Sequence, residues 1–191
     1  GSAAWNAAGA KPFSKDFKAI VAKAKKKGIR LKYAFMNLDT FSLMAQTEEV
    51  VKLSASFAAN ALNIAQTPSL EQVNAAMKGL AYLRGLQVVV IDQDITIEKD
   101  DGSRPFSGNP FADDVVMFSE SKVLGSTYWK KPADMNLKGS VAIKAMNGHT
   151  CVKKYSTEEP IEEVTVANAF PAWLSSGRSF LMDTSNSTWT H

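Results

Sequence analysis

His149 and Cys151, in the run Gly148-His149-Thr150-Cys151, stand two residues apart. On a strand their side chains would share one face. A thiol beside an imidazole is the beginning of a nucleophile and its base, but the chemistry also needs a third, orienting group and an oxyanion site. Neither is legible, and a small cysteine near a turn histidine is the simpler reading. The second histidine, His191, ends the sequence. Asp92 and Asp94 follow an apolar run, a place where α/β enzymes hold metals or phosphates. Two carboxylates alone suit magnesium weakly. Both this pair and Asp113-Asp114 read better as polar residues where buried strands surface. No glycine-rich phosphate loop exists, because "RGLQ" and "SGRS" lack the required spacing and strand-to-helix context. Tyr128-Trp129, followed by Lys130-Lys131, could stack a nucleobase, although one aromatic pair more often anchors a core or an interface. The expectation is a protein without catalytic residues, metal ligands or cofactor, and not an enzyme.

Charge carries a stronger signal. Nine basic residues lie between Lys11 and Lys32 against one acid, Asp16, giving that segment +8; the remainder has 13 basic and 18 acidic residues, net −5. Such polarity suits a polyanion, or head-to-tail contact between copies of one chain; a solvated helix face explains it as simply. The candidate surface is the basic face formed by Lys15, Lys18, Lys23, Lys25, Lys26 and Lys27, turned toward a neighbouring subunit or toward DNA. DNA contact there would be phosphate-directed, salt-dependent and without base readout.

A scaffold must hold that face. At 191 residues, 45% hydrophobic and 21% charged, the chain can form one domain, or two small lobes sharing a core. No apolar run reaches the roughly 18 to 20 residues of a membrane span, so no membrane partner is expected. The single Cys151 leaves no internal disulfide and no cysteine-based zinc site, and it suits a reducing compartment. Gly1-Ser2 reads as a cloning remnant.

From Pro12 to Lys27 the apolar Phe13, Phe17, Ile20, Val21 and Ala24 recur at helical spacing, with Gly28 as the stop. Leu31 to Met36 alternates like a strand, Asp39 is placed to cap a short helix through Met44, and Thr47 with Glu48 and Glu49 starts another. Ser69 and Gln72 stand at capping-box spacing before a helix running to Arg84 and closed by Gly85. The continuous run Leu86 to Asp92 predicts a strand buried on both sides. "ITIE" and the turn "KDDGSR" predict a hairpin, and Asp113 to Ser119 another short buried strand. Beyond Ser119 the chain is turn-rich, with Tyr128-Trp129 inside that stretch. Four short strand candidates follow, "SVAIKAM", "TCVKKYS", "EEVTVANAF" and "RSFLMDT". The class is α+β.

The order of these motifs resembles the major capsid proteins of tailed bacteriophages, in particular the lambda-like branch. Trp5 stands shortly before a helix that leads to a strand. "YAFMNLDTFSLM" (Tyr33 to Met44) resembles the family's strand, Asn and helix start. The helix from Ser69 to Arg84 leads into "GLQVVVIDQDI" and then, after a hairpin, "DDVVMFSESKVLGSTYW", where the family has a strand reaching a Val-Leu-Gly turn. The ending "EEVTVANAFPAWLSSGRSFLMDT" resembles the family's charged-Thr strand, small-Pro step and apolar strand before an Asp. The resemblance spans Trp5 to Thr184; each motif alone is weakly specific and the ordered set is not.

What the resemblance implies is a capsid fold with an axial domain, a central sheet flanked by helices, and a peripheral domain, a long spine helix plus a long sheet. Residues 1–30 would hold the spine helix, 31–125 the axial domain, 126–170 the peripheral return strands and 171–191 a final strand rejoining the axial sheet. The implied role is a structural subunit of an icosahedral phage or prophage head, forming pentamers and hexamers with copies of itself around packaged DNA, in a virion assembled in the bacterial cytoplasm. The family's N-terminal arm and extended loop would precede Trp5 and are absent, so the chain is expected to be a shortened body, monomeric in isolation. The alternatives are a nanocompartment shell protein of the same fold, a basic nucleic-acid-binding module, and a small hydrolase using His149 and Cys151.

Overall fold

The computed structural model describes residues 3–57, 67–99, 101–130, 141–146, 150–155 and 162–185, with backbone alone for 56–57 and for the strands between 141 and 167. By its contacts the chain divides into two compact units, residues 1–122 with 177–191, and residues 123–176.

The first unit starts with Trp5, whose buried indole Nε1 donates to Asp16 Oδ2 at 2.9 Å. Pro12–Phe17 forms one π-helical turn that runs directly into α1 (Lys18–Lys26). Pro12 suits this position, because the first turn of a helix has no use for its missing N–H. The free N–H groups of Phe13 and Ser14 are taken by the Glu49 carboxylate, at 2.9 and 3.1 Å, an anion where the helix dipole favours one. Gly28, at φ +73, ends α1; its N–H donates to Lys25 O and that of Ile29 to Ala24 O, both at 3.0 Å. This is a Schellman closure, which needs a left-handed residue at that point.

Next come β1 (Tyr33–Asn37), α2 (Leu38–Gln46), α3 (Glu48–Phe57), α4 (Leu70–Gly79), β2 (Gln87–Ile91), β3 (Ile95–Ile97), β4 (Phe106–Gly108) and β5 (Val115–Ser119). The main sheet has the order β11-β5-β1-β2, where β11 is Phe180–Asp183. β1 and β2 are parallel, with Tyr33 opposite Gln87 and Asn37 opposite Ile91. A parallel pair requires a long crossover, here made by α2, α3 and α4. β5 lies antiparallel to β1, and β11 antiparallel to β5. The core gathers Phe13, Phe17, Met36, Met44, Met77, Val116 and Phe118, with Phe17 and Phe118 edge to face at 5.0 Å.

Several local expectations are corrected. The predicted helix cap Asp39 is exposed, and Asn37 caps α2 instead, its Oδ1 accepting from Thr40 N at 2.8 Å. The strand passes into the helix without a loop, so the last strand residue is the one free to cap. The capping box is present in both halves, with Gln72 N donating to Ser69 Oγ and Ser69 N to Gln72 Oε1. That helix stops at Gly79 rather than Arg84: Leu80 is already extended, and a turn through Gly85 (φ +92) leads to β2. The strand covered on both sides is β1, with Ala34, Phe35, Met36 and Asn37 all buried, whereas β2 is an edge with only Val88 fully buried. Asn74 covers that edge, its side chain bonding both backbone groups of Val88 at 2.8 and 3.2 Å, as a neighbouring strand would. The hairpin β3–β4 forms as predicted, with Ile95 opposite Gly108 and Ile97 opposite Phe106.

In the second unit β6 (Gly125–Trp129) pairs antiparallel with β10 (Ala169–Trp173), and β7 (Val141–Met146), β8 (Thr150–Tyr155) and β9 (Glu162–Ala167) form an antiparallel sheet of three. Tyr128 and Trp129 therefore stand on a strand and not in a turn. Gly125 admits no side chain, since a Cβ would lie 2.0 Å from the Ala172 carbonyl oxygen. The observed class is α+β, with helices in the first unit and strands alone, apart from one 3₁₀ turn (Ser176–Arg178), after Ser119 among the described residues.

Candidate functional site

α1 buries Ile20 and Ala24, and the π turn before it buries Phe13 and Phe17. Burial along one side forces the remaining positions outward. All six predicted lysines, Lys15, Lys18, Lys23, Lys25, Lys26 and Lys27, are exposed, but they do not share one surface. Lys18 and Lys25, two turns apart, flank a groove of about 610 Å³ formed between α1, the segment Gly28–Leu31 and the turn Ala81–Leu86. Lys27 leaves on another side, its Nζ 5.6 Å from the centre of the Phe180 ring. Lys15, Lys23 and Lys26 lie on the exposed helix surface outside the groove.

The groove adds two cations that the helix pattern could not reveal, Arg30 and Arg84. Arg30 packs beside Gly85, its Nη2 3.7 Å from where a Cβ would be. Lys18 Nζ stands 5.4 Å from the centre of the Tyr82 ring, a modest attraction that orients the ammonium. Burial, helped by the negative charge of Glu49, pushes the Tyr82 hydroxyl above its ordinary pKa, so it remains a neutral donor at physiological pH. Val21, Ile29, Leu83 and Leu86 supply an apolar floor. No carboxylate occurs among the described lining residues. Four cations around an apolar floor can receive an anionic partner that also carries apolar groups.

The other candidates separate. His149 and His191 lie outside the described residues, and Cys151 is placed only by its backbone, in β8 opposite Ala145 and Val166. Asp92 and Asp94 are exposed in the link between β2 and β3. Asp113 accepts from the Asn37 side-chain amide, and Asp114 holds a junction: at φ +57, its N–H donates to Thr40 Oγ1 at 3.0 Å and its carbonyl accepts from Thr184 N at 2.7 Å. These two aspartates fasten α2, β5 and the end of β11 together. Among the described residues no three His, Cys, Asp or Glu side chains converge, and no helix is long and apolar enough to cross a membrane. Tyr128 and Trp129 are each 57% exposed, so neither anchors a core.

Comparison of the chain with protein-family models and with curated proteins gives no match. Among solved structures, the fold is similar to that of a phage-related protein from Bordetella bronchiseptica RB50, with a TM-score of 0.54 and 14% identity. The alignment covers 97% of this chain and 55% of that one, so the chain spans little more than half the length of the protein it matches.

Proposed function

We propose that the chain is a structural subunit of a phage or prophage head shell, working through geometry and summed contacts. The observation that carries this reading is the shared fold with a phage-related protein over nearly the whole chain. The ordered run of sequence motifs from Trp5 to Thr184, which resembles the lambda-like capsid proteins, narrows that likeness to the shell. In this reading the part of the first unit that follows residue 30 serves as the axial domain, and the basic surface of α1, taken as the spine helix, meets another subunit or packaged DNA.

Repeated head-to-tail contact closes into rings when the rotation per subunit fits. Each contact can be modest, because one subunit must break several at once to leave. Contacts that are each modest leave a dilute chain on its own, so the 191-residue chain is expected to sediment as a monomer at micromolar concentration.

Negative-stain electron microscopy of the product of the complete gene, expressed alone in bacteria, tests the reading. Rings or closed shells of uniform diameter are the expected result. A dispersed monomer that binds duplex DNA tightly would replace the shell with a nucleic-acid-binding module.

A further inference from the structure

The β3–β4 hairpin is built as a two-faced ribbon. Register places Ile95, Ile97 and Phe106 on one face, with Thr96 and Ser107 on the other, their hydroxyls 3.1 Å apart. The apolar face remains open, with Ile95, Ile97 and Phe106 at 38%, 50% and 38% exposure. Every described residue from Asp92 to Ser107 is exposed. Residues 92–104 carry five acids against two bases. One of those bases, Arg104, is already paired with Glu98 at 3.3 Å. At the tip, hydrogen bonds from Ser103 hold the Asp101 carboxyl below its ordinary pKa. An exposed apolar strip with acidic ends is a surface shaped for a partner.

The groove beside α1 has the complementary character, an apolar floor of Val21, Ile29, Leu83 and Leu86 rimmed by Lys18, Lys25, Arg30 and Arg84. Hairpin and groove belong to opposite ends of one strand. Arg84 and Leu86 immediately precede β2, and the hairpin leaves its far end, tied there by Asn109 Nδ2 donating to Ile91 O at 2.7 Å. The five residues of β2 hold the two about 16 Å apart, and no hairpin residue lines the groove of its own chain, whose hairpin face stays open.

We infer that the β3–β4 hairpin of one copy docks in the α1 groove of the next, its apolar face on the groove floor and its acidic residues against the rim cations. The contact is heterologous, joining different surfaces of identical chains, which is the kind that builds rings or filaments. It deepens, and rests on, the shell reading above.

The test is a charge swap in the 191-residue chain, followed by amide NMR from micromolar to millimolar concentration at low salt, where exposed charge pairs are least screened. Resonances of the hairpin and the groove are expected to shift together with concentration. The groove variant Lys25→Glu with Arg84→Glu, and the hairpin variant Asp92→Lys with Asp94→Lys, should each lose those shifts. A chain carrying all four changes should regain them, a result that misfolding cannot produce. Loss in the groove variant alone, with the hairpin variant unchanged, would mean that the groove receives some other surface of a neighbouring copy and would overturn the inference. So would a four-fold variant that fails to regain the shifts while its spectrum shows a folded chain. Shells in the microscope without this pattern would sink the docking and leave the shell reading standing; the pattern without shells would do the reverse.

Discussion

Phe17 and Phe170 are the same residue in opposite circumstances. Phe17 is fully buried between Phe13, Trp5 and Phe118, with ring centres 5.0 to 6.0 Å away. Phe170, on the β6–β10 ribbon of the second unit, is 67% exposed, opposite Tyr128 in the pairing. Trp173 and Leu174 beside it are 53% and 60% exposed. Outside the β3–β4 hairpin and the exposed Leu38 and Leu181, the first unit thus spends its large apolar residues mainly on its own core. The described ribbon of the second displays them, held in register by backbone pairing and by the close approach at Gly125.

The largest effect should come from breaking the buried side of this comparison. Phe17→Ala is expected to lower the stability of the chain by about 3–5 kcal/mol, the usual cost of removing a core phenylalanine. Urea unfolding followed by circular dichroism measures it. A change below about 1 kcal/mol would show that the contact of the π-helical turn with the sheet is not where the first unit gets its stability.

A smaller loss probes how the N-terminal segment is fastened. Trp5 is pinned twice, its side chain to buried Asp16 and its backbone N–H to Thr184 O at 3.1 Å. Asp16→Ala leaves the indole N–H without its acceptor in a buried place, a cost of roughly 1–3 kcal/mol. The same urea titration checks it, and an unchanged midpoint would mean that the segment opens at little cost.

The buried side of the comparison was the more legible in sequence. The helical spacing of Phe13, Phe17, Ile20 and Ala24 and the box of Ser69 and Gln72 are local patterns, and local patterns decide these elements. Asn37 and Asp39 are equally good caps by residue type; only the direct strand-to-helix junction selects between them. The valine run of β2 reports hydrophobicity and not its place in the sheet, and two-sided burial belongs to β1. The order β11-β5-β1-β2 puts β2 at an edge, and no local signal encodes that order. The basic helix was plain, but its lysines divide among different surfaces once Tyr82, Arg84 and Phe180 arrive from distant sequence. Arg30 and Arg84 joined the groove only through folding. The exposed face of the hairpin was hidden for the same reason, since Ile95 and Ile97 look like core residues until the register shows that nothing in the described chain covers them.

The displayed side should give the smallest effect. Phe170→Ser removes a ring of the same size as the one removed from Phe17, but from a position already in water. The transfer term is therefore mostly absent, and no cavity is left behind. Stability of the isolated chain should change by less than about 0.5 kcal/mol, the range typical of surface substitutions. Solubility at high concentration should rise as the apolar patch shrinks. If denaturation instead shows a loss comparable to that of Phe17→Ala, the ribbon is covered within the chain and the two units are stabilised alike. If stability holds in the isolated chain while the complete gene product stops assembling, the ring at Phe170 is spent on a neighbour, and the contrast with Phe17 becomes a contrast between folding and assembly.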